Sequence, residues 1–149
     1  MKKTLVAAAA LALAGLAHQA FAGGQQVVVQ VSADGQSIVV RTYRCGTPSS
    51  LSLRGTAEGL VSGQRRTLEL EIARGAEAGV FSVARQWPAE GRWALVFSVV
   101  GGHDVSTLVT LEAGQAIRIA DQRMSYEKPS PQRIEAALTD AQVTTSSPR

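Results

Sequence analysis

The sequence has little of the chemistry from which active sites are built. Its 149 residues include a single cysteine, Cys45, and two histidines, and aromatic side chains make up 5% of the chain. One cysteine excludes a disulfide framework within the chain and a cluster of thiolate metal ligands. So few aromatic rings also exclude a platform on which successive nucleic-acid bases stack.

The first 22 residues predict an export signal rather than a part of the fold. The pair Lys2-Lys3 precedes an apolar run at residues 5–17, and Ala20-Phe21-Ala22 has the small-x-small pattern that a signal peptidase cleaves. The apolar run is shorter than the roughly 20 residues that a membrane-spanning helix needs. We therefore expect cleavage before Gly23, a periplasmic or secreted mature protein, and no integral membrane segment after cleavage.

The charge of the mature chain gives no reason to expect a nucleic-acid partner. The chain has 15 Lys and Arg, of which two lie in the predicted signal, so 13 remain against 12 Asp and Glu and the net charge falls from +3 to +1. A nearly neutral chain lacks the excess of positive charge with which proteins attract nucleic acids and anionic membranes. A protein or a cell-envelope component is the expected partner, and the sequence leaves the oligomeric state open.

Apolar and polar residues alternate from residue 26 to residue 120, which predicts strands with one face in a core and the other in water. Between residues 92 and 100 both faces are apolar, so this strand is expected near the centre of a sheet. The spacing of about 12 residues per strand predicts an all-β fold, an antiparallel β-sandwich with eight candidate strands. The candidate strands lie at residues 26–31, around Ile38 and Val40, and at residues 51–54, 67–72, 79–84, 92–100, 105–112 and 116–120.

The composition changes after Asp121, which divides the mature chain into a β-sandwich domain at residues 23–121 and a C-terminal extension at residues 122–149. Within the extension, Ser130 as N-cap and Pro131 as first helical residue predict a short helix at residues 131–141. Its apolar stripe comprises Ile134, Ala137, Leu138 and Ala141. The polar residues that follow predict a frayed tail.

Cys45 follows a candidate strand and is open to three interpretations. It is a small buried residue at a strand end, a thiol activated by Arg41 and Arg44, or one half of an intermolecular disulfide. His103, the single histidine of the mature chain, lies in a Gly-Gly-His-Asp turn and is the only candidate base for a thiol hydrolase. Nothing in the spacing brings His103 to Cys45, so no catalytic residue is predicted and the protein is not expected to be an enzyme.

Metal and cofactor sites are not predicted either. A tight copper or zinc site takes three or four ligands, whereas the mature chain offers one histidine, one cysteine and one methionine, Met124. The sequence also lacks a Walker loop, a dinucleotide glycine pattern and a Gly-x-Ser-x-Gly motif. The sequence therefore predicts no cofactor and no metal site.

Trp87 and Arg85 precede the predicted central strand. Trp87 either plugs one end of the sandwich or stands exposed as an interface anchor. The arginines are scattered through strands and turns, and an anion-binding patch needs a fold that brings them together. The residues predicted as partner contacts are Trp87, Arg85, Cys45 and His103.

A resemblance to known exported domains appears in the later half of the chain. Gly79-Val80-Phe81, followed by Pro88-Ala89-Glu90-Gly91-Arg92-Trp93-Ala94-Leu95, resembles the pattern of small immunoglobulin-like domains of the YtkA-like, FixH-like and CopC-like groups. The resemblance implies a sandwich of seven or eight strands and, for some members, copper handling or oxidase assembly. The mature N-terminus, Gly23-Gly24-Gln25, has no histidine for a copper site, so the copper function does not carry over residue by residue.

The expected function is therefore that of a non-catalytic exported β-sandwich that binds a protein or cell-envelope partner through a sheet edge or through loops near Trp87. The alternative is an accessory domain in periplasmic copper handling or oxidase assembly, which the resemblance alone implies.

Overall fold

The computed structural model describes residues 24–101 and 104–140, so the predicted signal, His103 and the predicted tail lie outside it. The described part contains ten strands and one helix. They are β1 (Gln25–Val31), β2 (Ser37–Arg44), β3 (Thr47–Pro48), β4 (Ser52–Val61), β5 (Gln64–Glu69), β6 (Ala73–Arg74), β7 (Val80–Ala84), β8 (Arg92–Val100), β9 (Ser106–Leu111), β10 (Ile119–Ser125) and α1 (Pro131–Asp140).

These strands form two antiparallel sheets. The first sheet has the strand order β1-β2-β7-β6, with β3 also paired to β2, and the second has the order β10-β9-β8-β4-β5. Inward side chains of both sheets join one apolar core that contains Val40 and Val83 from the first sheet and Leu95 and Val109 from the second. The predicted all-β antiparallel sandwich is thus confirmed. Eight of the ten strands have five residues or more. The other two, β3 and β6, have two residues each, which is too short to show an alternation of apolar and polar residues in the sequence.

Strand β8 is the middle strand of the second sheet, as the apolar character of both its faces predicts. Trp93, Leu95 and Phe97 point into the core between the sheets, while Ala94 and Val96 point to the opposite face. All five are buried because the first sheet covers one face and α1 covers the other.

Strand β4 has glycines at the positions that pair with the largest side chains of β8. Gly59 pairs with Trp93 and Gly55 pairs with Phe97. A Cβ atom at Gly59 would lie 2.5 Å from Cε3 of Trp93, well inside van der Waals contact. Since directly paired residues project to the same face, the indole ring lies over Gly59 and occupies the space that a side chain there would need.

Helix α1 covers the outer face of the second sheet. Ser130 caps its first turn, because the amides of Arg133 and Ile134 donate hydrogen bonds to the Ser130 side chain and carbonyl at 3.3 and 3.1 Å. Ile134 and Leu138 pack on Ala94, Val96 and Leu108. The predicted cap and apolar stripe are therefore observed, apart from Ala141, which lies outside the described residues.

The largest differences from the predicted strand ends are at three places: β5 spans Gln64–Glu69 rather than residues 67–72, and β4 and β10 extend beyond their predicted ends. Strand β4 runs to Val61, well past residue 54, because glycine and alanine at its inward positions give no hydrophobic signal. Strand β10 spans Ile119–Ser125, past Asp121, and its polar run forms an exposed edge with a bulge between Ile119 and Asp121. Both strands are held by pairing with a neighbour rather than by their own apolar content.

The substitution Gly59→Ala tests the contact between β4 and β8. We expect it to lower the free energy of unfolding by about 1–3 kcal/mol, because the methyl group overpacks the Trp93 ring. Urea unfolding followed by circular dichroism measures the effect. Gly24→Ala is the control, since a Cβ atom there would meet the Tyr126 hydroxyl at 3.7 Å, an ordinary van der Waals distance. Equal stability of Gly59→Ala and wild type would contradict the contact.

Candidate functional site

Trp87 lies in the core with 4% of its surface exposed. The segment 85–91 crosses from β7 in the first sheet to β8 in the second, and the Trp87 ring packs into the apolar cluster between them. This agrees with the interpretation of Trp87 as a plug. The alternative, an exposed interface anchor, is corrected, because a ring buried to this degree offers no contact surface to a partner.

Arg85 holds the Trp87 segment in place. Its guanidinium carbon lies 5.9 Å from the centre of the Trp87 ring, and its side chain donates hydrogen bonds to the carbonyls of Trp87 and Pro88 at 3.2 and 3.3 Å. Two further hydrogen bonds, of 3.0 and 2.6 Å, reach the carbonyls of Gly114 and Gln115 in the loop before β10. Arg85 therefore ties two loops together, and its donors are engaged within the fold rather than turned toward a partner.

Cys45 is exposed in the turn between β2 and β3. Its φ of 50° is unusual for a residue other than glycine, and its amide donates a hydrogen bond to the Gly24 carbonyl at 2.9 Å. The interpretation of Cys45 as a small buried residue is therefore wrong: the turn carries the chain from β2 into β3 and leaves the side chain in solvent. His103, the other residue of the candidate pair, lies outside the described residues.

The two sheets differ in how their outer faces are covered. The second sheet is covered by α1, which is fastened at both ends of its contact. Arg65 of β5 forms an ion pair with Glu135, and Arg92 donates a hydrogen bond of 2.9 Å to the Leu138 carbonyl. Helix α1, the single helix of the described residues, packs on β4, β8 and β9 of the second sheet, so no described helix covers the outward side chains of β1, β2 and β7 in the first sheet.

We call this uncovered surface the Arg41 face and define it by five outward, half-buried side chains. They are Val28 on β1, Val39, Arg41 and Tyr43 on β2, and Val80 on β7. Their outward direction follows from alternation, since Ile38, Val40 and Thr42 between them are fully buried.

Arg41 lies at the centre of this face. The strand register puts Val28 opposite Arg41 on one side and Val80 on the other. Its guanidinium forms no hydrogen bond or ion pair with any residue in the described ranges. Long basic side chains commonly lay their aliphatic stem on apolar neighbours and keep the charged head in water, and the two flanking valines offer Arg41 such neighbours.

A small cleft opens beside Arg41. Its volume is about 50 Å³, and its lining includes Tyr43, Pro48, Glu77 and Val80. Gly79 shapes its floor, because a Cβ atom there would lie 2.5 Å from the Thr42 carbonyl and the φ of +73° suits glycine. Pockets for organic ligands are several times larger, about 300–1,000 Å³. At this size the cleft cannot enclose an organic metabolite.

Sequence reasoning missed the Arg41 face. Arg41 and Tyr43 alternate with buried residues, which is the pattern of an ordinary solvated strand face. The sequence signal for this face is that Val28, Val39 and Val80 are apolar although they lie at outward positions. This signal indicates a common surface only once the register of β1, β2 and β7 is known.

Within residues 24–101 and 104–140 no three His, Cys, Asp or Glu side chains come together as a metal site. No helix of that part is long and apolar enough to cross a membrane. The chain matches no protein-family model, and neither a curated protein nor a solved structure matches it significantly. The resemblance to the YtkA-like, FixH-like and CopC-like groups therefore stays a prediction.

Replacement of Arg85 tests its role as a tie between loops. We expect Arg85→Met to lower the free energy of unfolding by about 1.5–3 kcal/mol, because several carbonyls lose a charged donor. Arg85→Lys should recover little of this loss, since an ammonium cannot reproduce the fork of a guanidinium. Arg123→Met on β10 is the control, because Arg123 is 79% exposed and should change stability by less than about 0.5 kcal/mol. Equal effects of Arg85→Met and Arg123→Met in urea unfolding would refute the assignment.

Proposed function

We propose that this protein is an exported, non-catalytic binding module that docks a protein partner on the Arg41 face. Export rests on the predicted signal at residues 1–22, and binding rests on the one sheet face that α1 does not cover. The observation that carries the proposal is Arg41 itself, a half-buried residue whose guanidinium has no partner among the described residues and whose strand neighbours are Val28 and Val80.

Arginine and tyrosine surrounded by aliphatic side chains are typical of the residues that dominate binding energy in protein interfaces. Their bodies supply apolar contact area, and their polar tips supply directed hydrogen bonds. On this face Tyr43 pairs in register with Pro48, next to the cleft, while Arg41 lies one outward position away. The arrangement suits a partner that inserts one apolar side chain beside Tyr43 and presents a carboxylate to Arg41.

The size of the cleft favours a protein over a small molecule. About 50 Å³ is close to the space of one or two water molecules, so specific recognition has to come from the surrounding flat surface. A β-sheet face of this kind is suited to contact with another folded surface.

Photo-crosslinking in the cells that export the protein tests the proposal. We expect a crosslinking amino acid at position 39, on the Arg41 face, to give a discrete adduct with another protein, and the same amino acid at position 123, on β10, to give none. Arg41→Glu should reduce the adduct at position 39 by about tenfold, because it reverses the charge at the centre of the contact.

The matched control for Arg41→Glu is Arg54→Glu, the same change at an exposed strand position on the second sheet. It should leave the adduct at position 39 unchanged. Adducts that form equally at positions 39 and 123, or that survive Arg41→Glu, would overturn the assignment of this face.

The copper-handling alternative is tested separately by titration of the purified protein with Cu(I) and Cu(II). A binding module of the proposed kind gives no stoichiometric complex. Stoichiometric binding tighter than about micromolar would favour the metal-trafficking function over the one proposed here.

A further inference from the structure

The edge strands of the two sheets differ in how their backbones are protected. On β1, the Val29 amide donates to Gln122 at 3.1 Å and the Val27 carbonyl accepts from Thr107 at 2.9 Å, so side chains of the second sheet cap this edge. Strand β6 has two residues, and β10 contains a bulge. Short edges, bulges and covered backbones all discourage pairing with another chain.

Strand β5 has none of these three protections. It pairs with β4 in continuous register over six residues, from Thr56↔Glu69 to Val61↔Gln64, without a bulge or a proline. Its free edge is the longest regular run of unpaired backbone groups among the described edges. Such an edge is a template for another strand.

The turn before β5 fixes which backbone groups are free. Ser62 and Gly63 have φ values of 50° and 78°, the positive pair of a two-residue hairpin, in which the flanking residues exchange hydrogen bonds. The amide and carbonyl groups of Gln64, Arg66 and Leu68 therefore point to β4. A hydrogen bond of 2.9 Å from the Leu70 amide to the Gly55 carbonyl continues the same alternation.

The backbone groups of Arg65, Thr67 and Glu69 consequently point away from the sheet. Their side chains project to the face that α1 covers, where Thr67 donates a hydrogen bond to Glu58 at 2.8 Å. Arg65 contacts Glu58 and Glu135 yet remains 36% exposed, and the carboxylate of Glu69 is exposed with no ion pair to a described residue.

We infer that β5 pairs antiparallel with β5 of a second copy, on a two-fold axis at Thr67, to form a homodimer with one continuous sheet. The axis places Arg65 of each copy opposite Glu69 of the other. Both residues of each pair have outward backbone groups, so the hydrogen bonds of the ladder and the two ion pairs form in the same register.

Neighbouring registers are less favourable. An axis at Arg66 puts two guanidiniums opposite each other, and directly opposed like charges destabilise a sheet. An axis at Leu68 moves Arg65 opposite residue 71, past the end of the strand. The self-complementary charge pattern of β5 therefore selects both the occupant, a second copy of this chain, and its register.

This inference is independent of the Arg41 face, which lies on the other sheet. A six-residue edge buries less surface than a standard protein interface, so we expect association in the range of about 10–100 µM. Sedimentation velocity of the purified protein across this range should show a reversible equilibrium between monomer and dimer.

Two substitutions disrupt the pairing by different means. Thr67→Pro removes an outward amide, at a position where an edge strand tolerates proline. Glu69→Arg puts an arginine opposite Arg65 of the other copy. We expect each to weaken dimerisation by about tenfold or more, while circular dichroism confirms that the fold is kept.

Glu71→Arg is the matched control, because it makes the same charge change at an exposed position just past the strand and should leave the dimer intact. Should Thr67→Pro fail to fold, Glu69→Arg still decides the question. A wild-type protein that stays monomeric at about 100 µM, or a dimer that tolerates Glu69→Arg as well as Glu71→Arg, would overturn the inference.

Discussion

The stacking of β8 rings on β4 glycines is the contact on which the other features of the fold depend. Trp93 over Gly59 and Phe97 over Gly55 let two neighbouring strands carry very unequal side chains without leaving a void. The indole nitrogen of Trp93 also donates a hydrogen bond of 3.0 Å to the Glu90 carbonyl, which fixes the entry into β8. The Trp93 ring is thus fixed by this hydrogen bond and by its packing on Gly59. Trp87 fills the core between the sheets, and Arg85 connects the two neighbouring loops.

The unequal covering of the two sheets follows from the same central strand. Because β8 is apolar on both faces, its outer residues Ala94 and Val96 need a cover, and α1 provides it. On the outer side of the first sheet, β2 carries Arg41 and Tyr43 beside Val39, and this sheet presents the Arg41 face without a helix over it. The proposed partner surface and the proposed dimer edge thus lie on different sheets and can be occupied together.

Much of the fold could be predicted from local pattern, and the candidate site could not. Both faces of residues 92–100 are apolar, which correctly placed that strand at the centre of a sheet, and Ser130-Pro131 correctly placed the start of α1. The full length of β4 was not predicted, because Gly55, Ala57 and Gly59 favour the packing by leaving space for the β8 side chains. A hydropathy pattern does not detect this role. The surroundings of Arg41 depend on a register between β1, β2 and β7, which is a long-range property.

A double-mutant cycle between Gly59 and Trp93 measures the central contact most directly. Gly59→Ala and Trp93→Leu each destabilise the fold, the first by overpacking and the second by loss of a buried ring. Their combination should be less destabilising than the sum of the two by about 1 kcal/mol or more, because the smaller side chain gives the added methyl group its space. Additive effects in urea unfolding would show that the ring and the glycine are not coupled, and would contradict this account of the fold.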